Sequence, residues 1–536
     1  MLTADRPARA VIPLALLIGA AYAAWLFGAG VLLGDDAYWA RPVALSGGAL
    51  DIRTAVSGYL WLAQDAWRWP LLFTVRPDAP AGINAEQFDL VPVLALAGKL
   101  LGLVNPYPFW LAATFALNAA ALVALVRALG QRSLLAAIAA AGLGAMAPVI
   151  HHRFGHLALM AHWVFIFALA AYFAGRGGRP RIATLAALSA LAACINPYLL
   201  VMTLAVSAAA LLQAALDRRL PILPSLAAGA LLLAAGIAPL AALGMIGDAG
   251  LLRASTSTSL YTMNLLSPFW PQSSGAFAWT GLYLLTRGSI GGTRGQYEGY
   301  DYLGLGTLLL IAVAAILRGR TLPAGIRSNP ILTLALATLT IWALGREIYL
   351  AQVQLIAYPR PAFLERTIFS WFRSSGRFFW PAGWLLAALG IAFSLPALRP
   401  RNAIILAALA LTLQWIDLGI WRTRIAAVTT PPASQFGTNE DAARLQAEIA
   451  RSGRVSLFPS AYCLQPGLGD YDAPTTIAAS EVQMLAARAN AIMPNVLIAR
   501  GTADCTAAMP TGLVIFLNQP APANCRPLAL GAVCGE

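Results

Sequence analysis

The chain alternates long apolar runs with short polar connections. Runs of about 17–25 apolar residues are long enough to cross a bilayer as α-helices. We predict spans at 11–32, 106–127, 134–150, 157–175, 182–197, 198–216, 222–246, 302–317, 330–345, 378–396 and 403–420. The pattern therefore indicates an all-α polytopic membrane protein with about eleven transmembrane helices.

Arginines between the apolar runs predict the orientation. They fall on one side of the membrane if the N-terminus is cytoplasmic, as the positive-inside rule requires; these are Arg6, Arg9, Arg127, Arg132, Arg176, Arg179, Arg181, Arg218, Arg219, Arg318, Arg320, Arg327, Arg399 and Arg401. The runs that meet at Asn196 could form one kinked or re-entrant element, but losing a span there would strand the later arginines outside. We therefore expect the C-terminus outside.

The first apolar run also resembles a signal peptide, because Arg6 and Arg9 precede it. Its length and the lack of a small-residue cleavage site favour an uncleaved helix. A long first loop, 33–105, then follows outside the membrane. Within it, Phe88–Leu103 is too short to cross and contains Pro92 and Lys99, which favours an amphipathic helix in the membrane interface.

The region Arg422–Glu536 is polar enough to fold in water. It has a helical pattern at Glu440–Ile449 and strand-like runs at Val455–Phe458 and Leu513–Leu517. We predict a membrane domain at 1–421 and a small α/β domain at 422–536.

Cysteine usage agrees with an external C-terminal domain. Cys463, Cys505, Cys525 and Cys534 all lie there, an even number that is typical of an oxidising compartment. Three pairings are possible, and proximity in sequence favours Cys525–Cys534 together with Cys463–Cys505. A metal site is less favoured, because no CxxC pair or histidine accompanies these cysteines.

Composition excludes a soluble globular protein: 59% of the 536 residues are hydrophobic, 11% are charged, and the mean hydropathy is +0.69. The formal charge of +13 is explained by arginines between membrane spans and gives no nucleic-acid footprint. The sequence thus predicts membrane lipids, and no nucleic acid, as partners.

Three carboxylates lie at the predicted edges of the membrane. Asp35 and Asp36 directly follow the first span, and Asp89 precedes the interfacial helix. Most charges and tryptophans of this loop are typical of an interfacial aromatic belt with solvated charges. An ionised carboxylate at a membrane edge is costly unless it has a partner or a task, so these three residues point to function.

The first loop resembles the corresponding loop of GT-C glycosyltransferases. The similarity lies in the acidic pair and following aromatic of GDDAYWARPVALSGG, then WRWPLL, APAGIN and FDLVP. The stretches INPYLL and FRSSGRFFWP resemble poorly characterised bacterial members that end in a cysteine-bearing periplasmic domain. This chain has Asp-Asp where better-known members often have Asp-Glu.

This resemblance implies transfer of a sugar from a polyprenyl-phosphate donor to a periplasmic glycan or lipid acceptor, in a bacterial inner membrane. Such a reaction needs a carboxylate to accept the acceptor's proton and cations to stabilise the departing phosphate. We predict Asp35 as the base. Asp36 is its alternate, either adjusting the pKa of Asp35 or binding a divalent cation, although the prediction requires no cofactor.

Predicted phosphate ligands are outward arginines, because the planar guanidinium can bind two phosphate oxygens. Arg373 and Arg377 lie at i, i+4 before a span, although snorkelling to lipid headgroups explains them equally well. Arg153 is a further candidate. His152 and His156 flank it, and we expect them to line the active cleft rather than bind metal.

The loop 247–301 is rich in glycine and serine, with Trp270, Trp279, Tyr297 and Tyr300 available to stack on sugars. It could be a mobile lid or a plain connector. Two other functions remain open for the whole chain. A transporter or flippase is disfavoured by the absence of an internal repeat, and a non-catalytic envelope assembly protein is the third possibility.

Overall fold

The structure is a computed structural model. It describes residues 10–34, 39, 48–77, 81–246, 259–271, 273–277, 291–293, 295–429, 434–460, 463, 474–494, 496–498, 505, 509–517 and 519–535. The predicted catalytic residues Asp35 and Asp36 lie outside the described residues.

Helices dominate the fold from the N-terminal region to residue 428. They are α1 (Val11–Leu32), α2 (Gly48–Gln64), α3 (Pro92–Leu101), α4 (Tyr107–Ala128), α5 (Leu134–Ala145), α6 (Pro148–His152), α7 (Trp163–Ala174), α8 (Ile182–Ala193), α9 (Pro197–Leu216), α10 (Ile222–Ala242), α11 (Leu305–Arg318), α12 (Leu322–Ser328), α13 (Pro330–Leu344), α14 (Trp380–Ser394), α15 (Pro400–Asp417) and α16 (Gly419–Val428). Short 3-10 turns lie at Ala85–Phe88, Leu157–Met160, Gln296–Glu298 and Ser375–Phe379.

Seven helical segments of the described chain are long and apolar enough to cross a membrane. They are Val11–Leu32, Tyr107–Ala128, Leu134–His152, Leu157–Ala174, Pro197–Leu216, Ile222–Ala242 and Ser375–Ala397. Helices α15 and α16, bent by 46° at their junction, add an eighth if they form one span. The chain is thus a multi-pass, mostly helical membrane protein.

Three predicted spans correspond to shorter helices. Helices α8, α11 and α13 have 12, 14 and 15 residues, against the roughly 20 that a perpendicular crossing needs. Local features set two of these boundaries. Asn196 lies between α8 and α9 and caps α9 by accepting the amide of Tyr198 with its side chain. Gly345 ends α13 with a φ of 75°. By length and composition, the described helices give seven or eight crossings, where the pattern of apolar runs predicted about eleven.

The helices form one apolar core in which small residues allow close contact. Helix α1 packs along α4, and a Cβ on Gly19 would lie 2.4 Å from the carbonyl oxygen of Phe115. Any larger residue at position 19 would therefore separate the two helices. Helix α1 is broken at Gly28, which has a φ of 76° and a ψ of 165°. Beyond the break, the indole of Trp39 donates to the carbonyl of Val31 at 2.8 Å.

Two small hairpins and one sheet complete the fold. Strands β1 (Phe73–Thr74) and β2 (Ile83–Asn84) pair antiparallel, as do β3 (Glu347–Leu350) and β4 (Val353–Ala357). Strands β5 (Ser456–Phe458), β6 (Val514–Phe516), β7 (Arg526–Pro527) and β8 (Ala532–Cys534) form a sheet in the order β5-β6-β8-β7, with β5 and β6 parallel. Helices α17 (Asn439–Ser452) and α18 (Pro474–Arg488) belong to the same C-terminal region.

The C-terminal region has the predicted helix and strands close to their expected positions. Its disulfides are Cys463–Cys505 and Cys525–Cys534, which confirms the pairing that sequence proximity favoured.

Helix α18 binds directly to α2 through buried polar contacts. The guanidinium of Arg53 donates to the carbonyl of Ile477 at 3.2 Å, and the amide of Gln483 donates to the hydroxyl of Ser57 at 2.9 Å. The indole of Trp61, which is fully buried, donates to the carbonyl of Ala491 at 3.0 Å. Buried hydrogen bonds of this kind fix orientation, so the C-terminal region holds α2 in place.

Candidate functional site: a buried ionic cluster at the end of the helices

A cluster of charged side chains lies where α6 ends and α14 begins. It combines Arg153, which follows α6, with Arg377, in the turn before α14. The third member is Glu298, at the end of the turn Gln296–Glu298. All three are buried, and charges so placed are stable only when paired.

Glu298 joins the two arginines. Its Oε2 accepts from Arg153 Nη1 at 2.5 Å and from Arg377 Nη2 at 2.7 Å. Arg153 also donates through Nη2 to the backbone carbonyl of Glu298 at 2.5 Å. The guanidinium of Arg153 lies 5.7 Å from the ring centre of Trp380, and that of Arg377 lies 4.9 Å from the ring centre of Tyr198. Each arginine is therefore held by a carboxylate and an aromatic face.

Two glycines bring these segments together. A Cβ on Gly376 would lie 2.5 Å from the Cα of Gly299, so the two backbones meet at a distance that excludes a side chain. Each glycine is adjacent to a charged member of the cluster, Arg377 or Glu298. The close contact of the backbones therefore allows the direct ion pair between them.

A second group of ionisable residues borders this pair. His156 Nδ1 lies 2.6 Å from Asp89 Oδ2. Its Nε2 lies 3.6 Å from Asp51 Oδ2 and 3.7 Å from Glu298 Oε1. The side chains of His156, Asp51 and Asp89 keep 25, 32 and 23% of their surface exposed, so a ligand can reach them, whereas the arginines lie deeper.

The local backbone presents Asp89 to His156. Asn84 caps the turn Ala85–Phe88 by accepting the amide of Glu86 at 2.9 Å, and Asp89 ends the turn with a φ of 57°. Aspartate is one of the few residues other than glycine that tolerate this left-handed conformation. Asn84 also donates to the carbonyl of Leu243 at 2.8 Å, which anchors the turn to the end of α10.

The cluster strongly perturbs its acids and its histidine. Burial opposes the charge of Glu298, but Arg153 and Arg377 outweigh it and hold the pKa of Glu298 well below its usual range. Burial raises the pKa of Asp51 to about 7 against the opposing charge of His156. Burial alone would lower the pKa of His156, but Asp51 and Asp89 raise it to about 10. At neutral pH the site therefore holds a charged His156, an ionised Glu298 between two arginines, and Asp51, which can take up or release a proton.

The structure brings together four of the predicted substrate-binding residues, Asp89, Arg153, His156 and Arg377. The other two lie at the margin. His152 stacks on Tyr300 with a centroid distance of 4.5 Å and meets Trp421 edge-on, and Arg373 lies 5.6 Å from the ring centre of Tyr261. Tyr300 therefore packs in the protein interior here, where the sequence left open a sugar-stacking role.

Two acids in the site were missed by sequence reasoning. Glu298 lies in the Gly- and Ser-rich loop 247–301. Asp51 lies in the first loop, whose charges the sequence predicts to be mostly solvated. A usable signal was the pair Arg153 and Arg377, because two arginines placed against the positive-inside trend require an acidic partner. Nothing local in the sequence identifies which of the loop's acids provides it.

Another acid near the cluster, Asp301, lines a cavity together with Trp380, Trp384, Tyr302 and Thr307. Burial raises the pKa of Asp301 well above its usual range, which disfavours the charged form of this carboxyl.

Among the described residues, no three His, Cys, Asp or Glu side chains are arranged to hold a metal ion. The acids of the cluster pair with arginine and histidine instead. The buried Nε groups of Arg153 and Arg377 have no hydrogen-bond partner among the described residues, so each arginine keeps one donor for an anion that enters the cluster. The site can also accept a proton at the carboxylate of Asp51.

Comparisons with known proteins give one match. No curated protein and no solved structure matches this chain. A family model, described as a domain of unknown function (DUF6311), matches residues 16–419, which covers the membrane helices and all the residues of the cluster. The chain therefore belongs to the DUF6311 family.

Proposed function

We propose that this protein is a glycosyltransferase that moves a sugar from a polyprenyl-phosphate donor to a glycan or lipid acceptor. The observation that carries the proposal is the convergence of Arg153 and Arg377 on one buried carboxylate beside Asp51 and Asp89. Anion-binding donors beside a proton acceptor, at the ends of membrane helices, are what this transfer requires.

The proposal includes a topology and a location. The protein would lie in a bacterial inner membrane in a GT-C-like arrangement of about eleven helices, with the N-terminus in the cytoplasm and the cluster and C-terminal domain facing the periplasm. The positive-inside distribution of arginines supports this orientation. Disulfides in the C-terminal region support an oxidising compartment.

The proposed reaction uses the cluster as follows. The acceptor hydroxyl attacks the anomeric carbon of the donor and forms the new C–O bond, while its proton passes to an aspartate. The bond between the anomeric carbon and the phosphate oxygen breaks, and the oxygen leaves with the electron pair as polyprenyl phosphate. Arg153 and Arg377 stabilise the charge on that phosphate. Asp35 is the proposed base, and Asp51, with its pKa near 7, is the acid in the described site that could share this task.

We expect Asp35→Asn to abolish transfer while leaving donor binding intact. Loss of a general base costs about 10²–10⁴-fold in rate, whereas the arginines that bind the phosphate are unchanged. The measurement has two parts in lipid nanodiscs: binding of undecaprenyl phosphate, and transfer of radiolabelled sugar from a panel of polyprenyl-phosphate-linked donors to an envelope glycan and lipid fraction.

Matched variants separate the alternatives. Arg377→Met should weaken binding of undecaprenyl phosphate, and Arg444→Met, an exposed position in α17, should not. Full transfer by Asp35→Asn would remove Asp35 from the mechanism. Wild-type binding with movement of the lipid between leaflets and no transfer would identify a transporter instead. Absence of undecaprenyl phosphate binding would refute both the transferase and the transporter. A non-catalytic envelope assembly protein would then be the remaining function.

A further inference from the structure

The hairpin of β3 and β4 exposes an unusual apolar surface. Every residue of β4 is exposed, including Val353, Leu355 and Ile356 at 62, 51 and 54%. Leu350 is 40% exposed at the end of β3. Successive residues of a strand point to opposite faces, so Leu355 and Ile356 leave both faces apolar and uncovered. A hairpin in water normally buries one of its two faces.

Strand β4 and the turn before it carry no charge. The charges of the hairpin lie at its base, where Arg346 pairs with Glu347 and the two side chains are 46 and 26% exposed. Arg360 is the single charged residue between Leu350 and Leu364. Its side chain is 6% exposed, lies 3.7 Å from Glu365 and sits 4.0 Å from the ring centre of Phe369. Exposed strand edges in water usually carry charged residues that prevent aggregation, and this one does not.

The exposed apolar surface continues beyond the hairpin in both directions. Phe363 follows it with 67% of its surface exposed. Helix α13 precedes it directly and has Leu334 and Ile341 exposed at 63 and 58%. These side chains of α13 face lipid if the helix lies in the membrane, so the hairpin extends a lipid-facing surface.

The open edge of β4 limits how deep the hairpin can lie. Its unpaired backbone amides and carbonyls need water, which the hydrocarbon core does not supply. Interfacial elements place their apolar side chains about 5–10 Å into the boundary between headgroups and acyl chains. The hairpin therefore fits the membrane interface and not the centre of the hydrocarbon core.

We propose that the β3–β4 hairpin is a membrane-inserted element whose apolar side chains contact the acyl chains of the nearer leaflet. A lipid bilayer fits the exposed apolar residues of β4, the absence of charge along β4, and the exposed Ile341 and Phe363 on either side of the hairpin. This inference does not depend on the enzymatic proposal.

The hairpin is connected to the ionic cluster through Asn264. This side chain accepts the amide of Ala351 at 3.0 Å and donates to its carbonyl at 2.8 Å. It also donates to Gln296 Oε1 at 3.2 Å, and Gln296 begins the turn that ends at Glu298. The proposed lipid contact therefore adjoins the site, where a membrane-borne ligand would leave the bilayer.

Spin labelling tests the insertion. Leu355→Cys is made in a Cys194→Ala background, because Cys194 is the free cysteine of the described chain. The labelled protein is placed in nanodiscs of phosphatidylethanolamine and phosphatidylglycerol. We expect the label to collide several-fold more with oxygen, which partitions into lipid, than with a water-soluble nickel chelate.

The matched control is Arg444→Cys in the same background, since Arg444 is 66% exposed on the C-terminal helix α17. Its label should favour the nickel chelate. Equal nickel accessibility at positions 355 and 444 would overturn the proposal, and so would dipolar broadening between labels at position 355, which would show that a second copy covers the hairpin. Unchanged thermal midpoints of both labelled proteins verify the fold.

Discussion

Replacing Glu298 by alanine is expected to lower the free energy of unfolding by about 3–5 kcal/mol, because it leaves two buried guanidinium groups without their carboxylate. Arg153 and Arg377 are 1 and 9% exposed in their side chains, so little water reaches them to replace the lost partner. Thermal unfolding of purified protein in nanodiscs, followed by tryptophan fluorescence, measures the effect as a large drop in the midpoint.

Glu448→Ala is the matched control. Glu448 also accepts from two arginines, Arg444 at 3.3 Å and Arg526 at 2.6 Å, but those side chains are 66 and 28% exposed. Its loss should cost less than about 1 kcal/mol. Removing one stranded charge in the double variant Glu298→Ala, Arg153→Met should recover part of the stability. Equal effects of the two alanine variants would refute the buried ionic cluster.

Between pH 7 and pH 10 we expect the wild-type protein to lose stability that depends on His156. The folded pKa of His156 is about 10, above its ordinary 6.5, so the folded state binds the proton more tightly than the unfolded chain. The resulting stabilisation is complete below pH 6.5 and disappears as the pH rises towards 10. Asp51, raised from 3.8 to about 7, has the same sign but acts at lower pH.

The variant His156→Gln isolates this effect. It should be less stable than wild type by about 2 kcal/mol at pH 6, with the difference shrinking as the pH approaches 10. Midpoints of thermal unfolding at half-unit pH steps for both proteins measure it. Both proteins share Lys99 and every tyrosine, so those alkaline titrations cancel, and the difference reports the coupled titration of His156 and Asp51. Parallel curves for the two proteins over this range would show that His156 is not charged in the folded state.

The membrane helices could be predicted because a long apolar run identifies a helix without reference to the rest of the chain. All eleven predicted runs coincide with helices, and the C-terminal helix and strands also lie where the pattern placed them. The number of membrane crossings was harder to predict, because the length of an apolar run does not show where the helix within it ends. Asn196 caps α9 inside an apolar stretch, so α8 ends at Ala193, four residues before the end of its predicted run. Helix α13 fills its predicted run up to Gly345, but that run is itself shorter than a full crossing.

The site could be predicted only in part. Membrane-edge position and charge indicated Arg153, Arg377, His156 and Asp89, which the fold brings together. Glu298, the partner of both arginines, is 145 residues from Arg153 along the chain, and no sequence periodicity links positions so far apart. The Gly376–Gly299 contact that joins these segments is a tertiary feature, because both glycines also fit an ordinary loop.

The contacts between α2 and α18 also bear on the order in which the protein is assembled during synthesis. Arg53 and Ile477 are 424 residues apart, and helix α2 also carries Asp51. A ribosome must therefore translate the whole membrane region before α2 meets the segment that fixes it. Arg153, Glu298 and Arg377 are all translated before that segment, so their ion pairs do not wait for it. Helix α2, which carries Asp51, gains its C-terminal support only once residues 474–491 have been made.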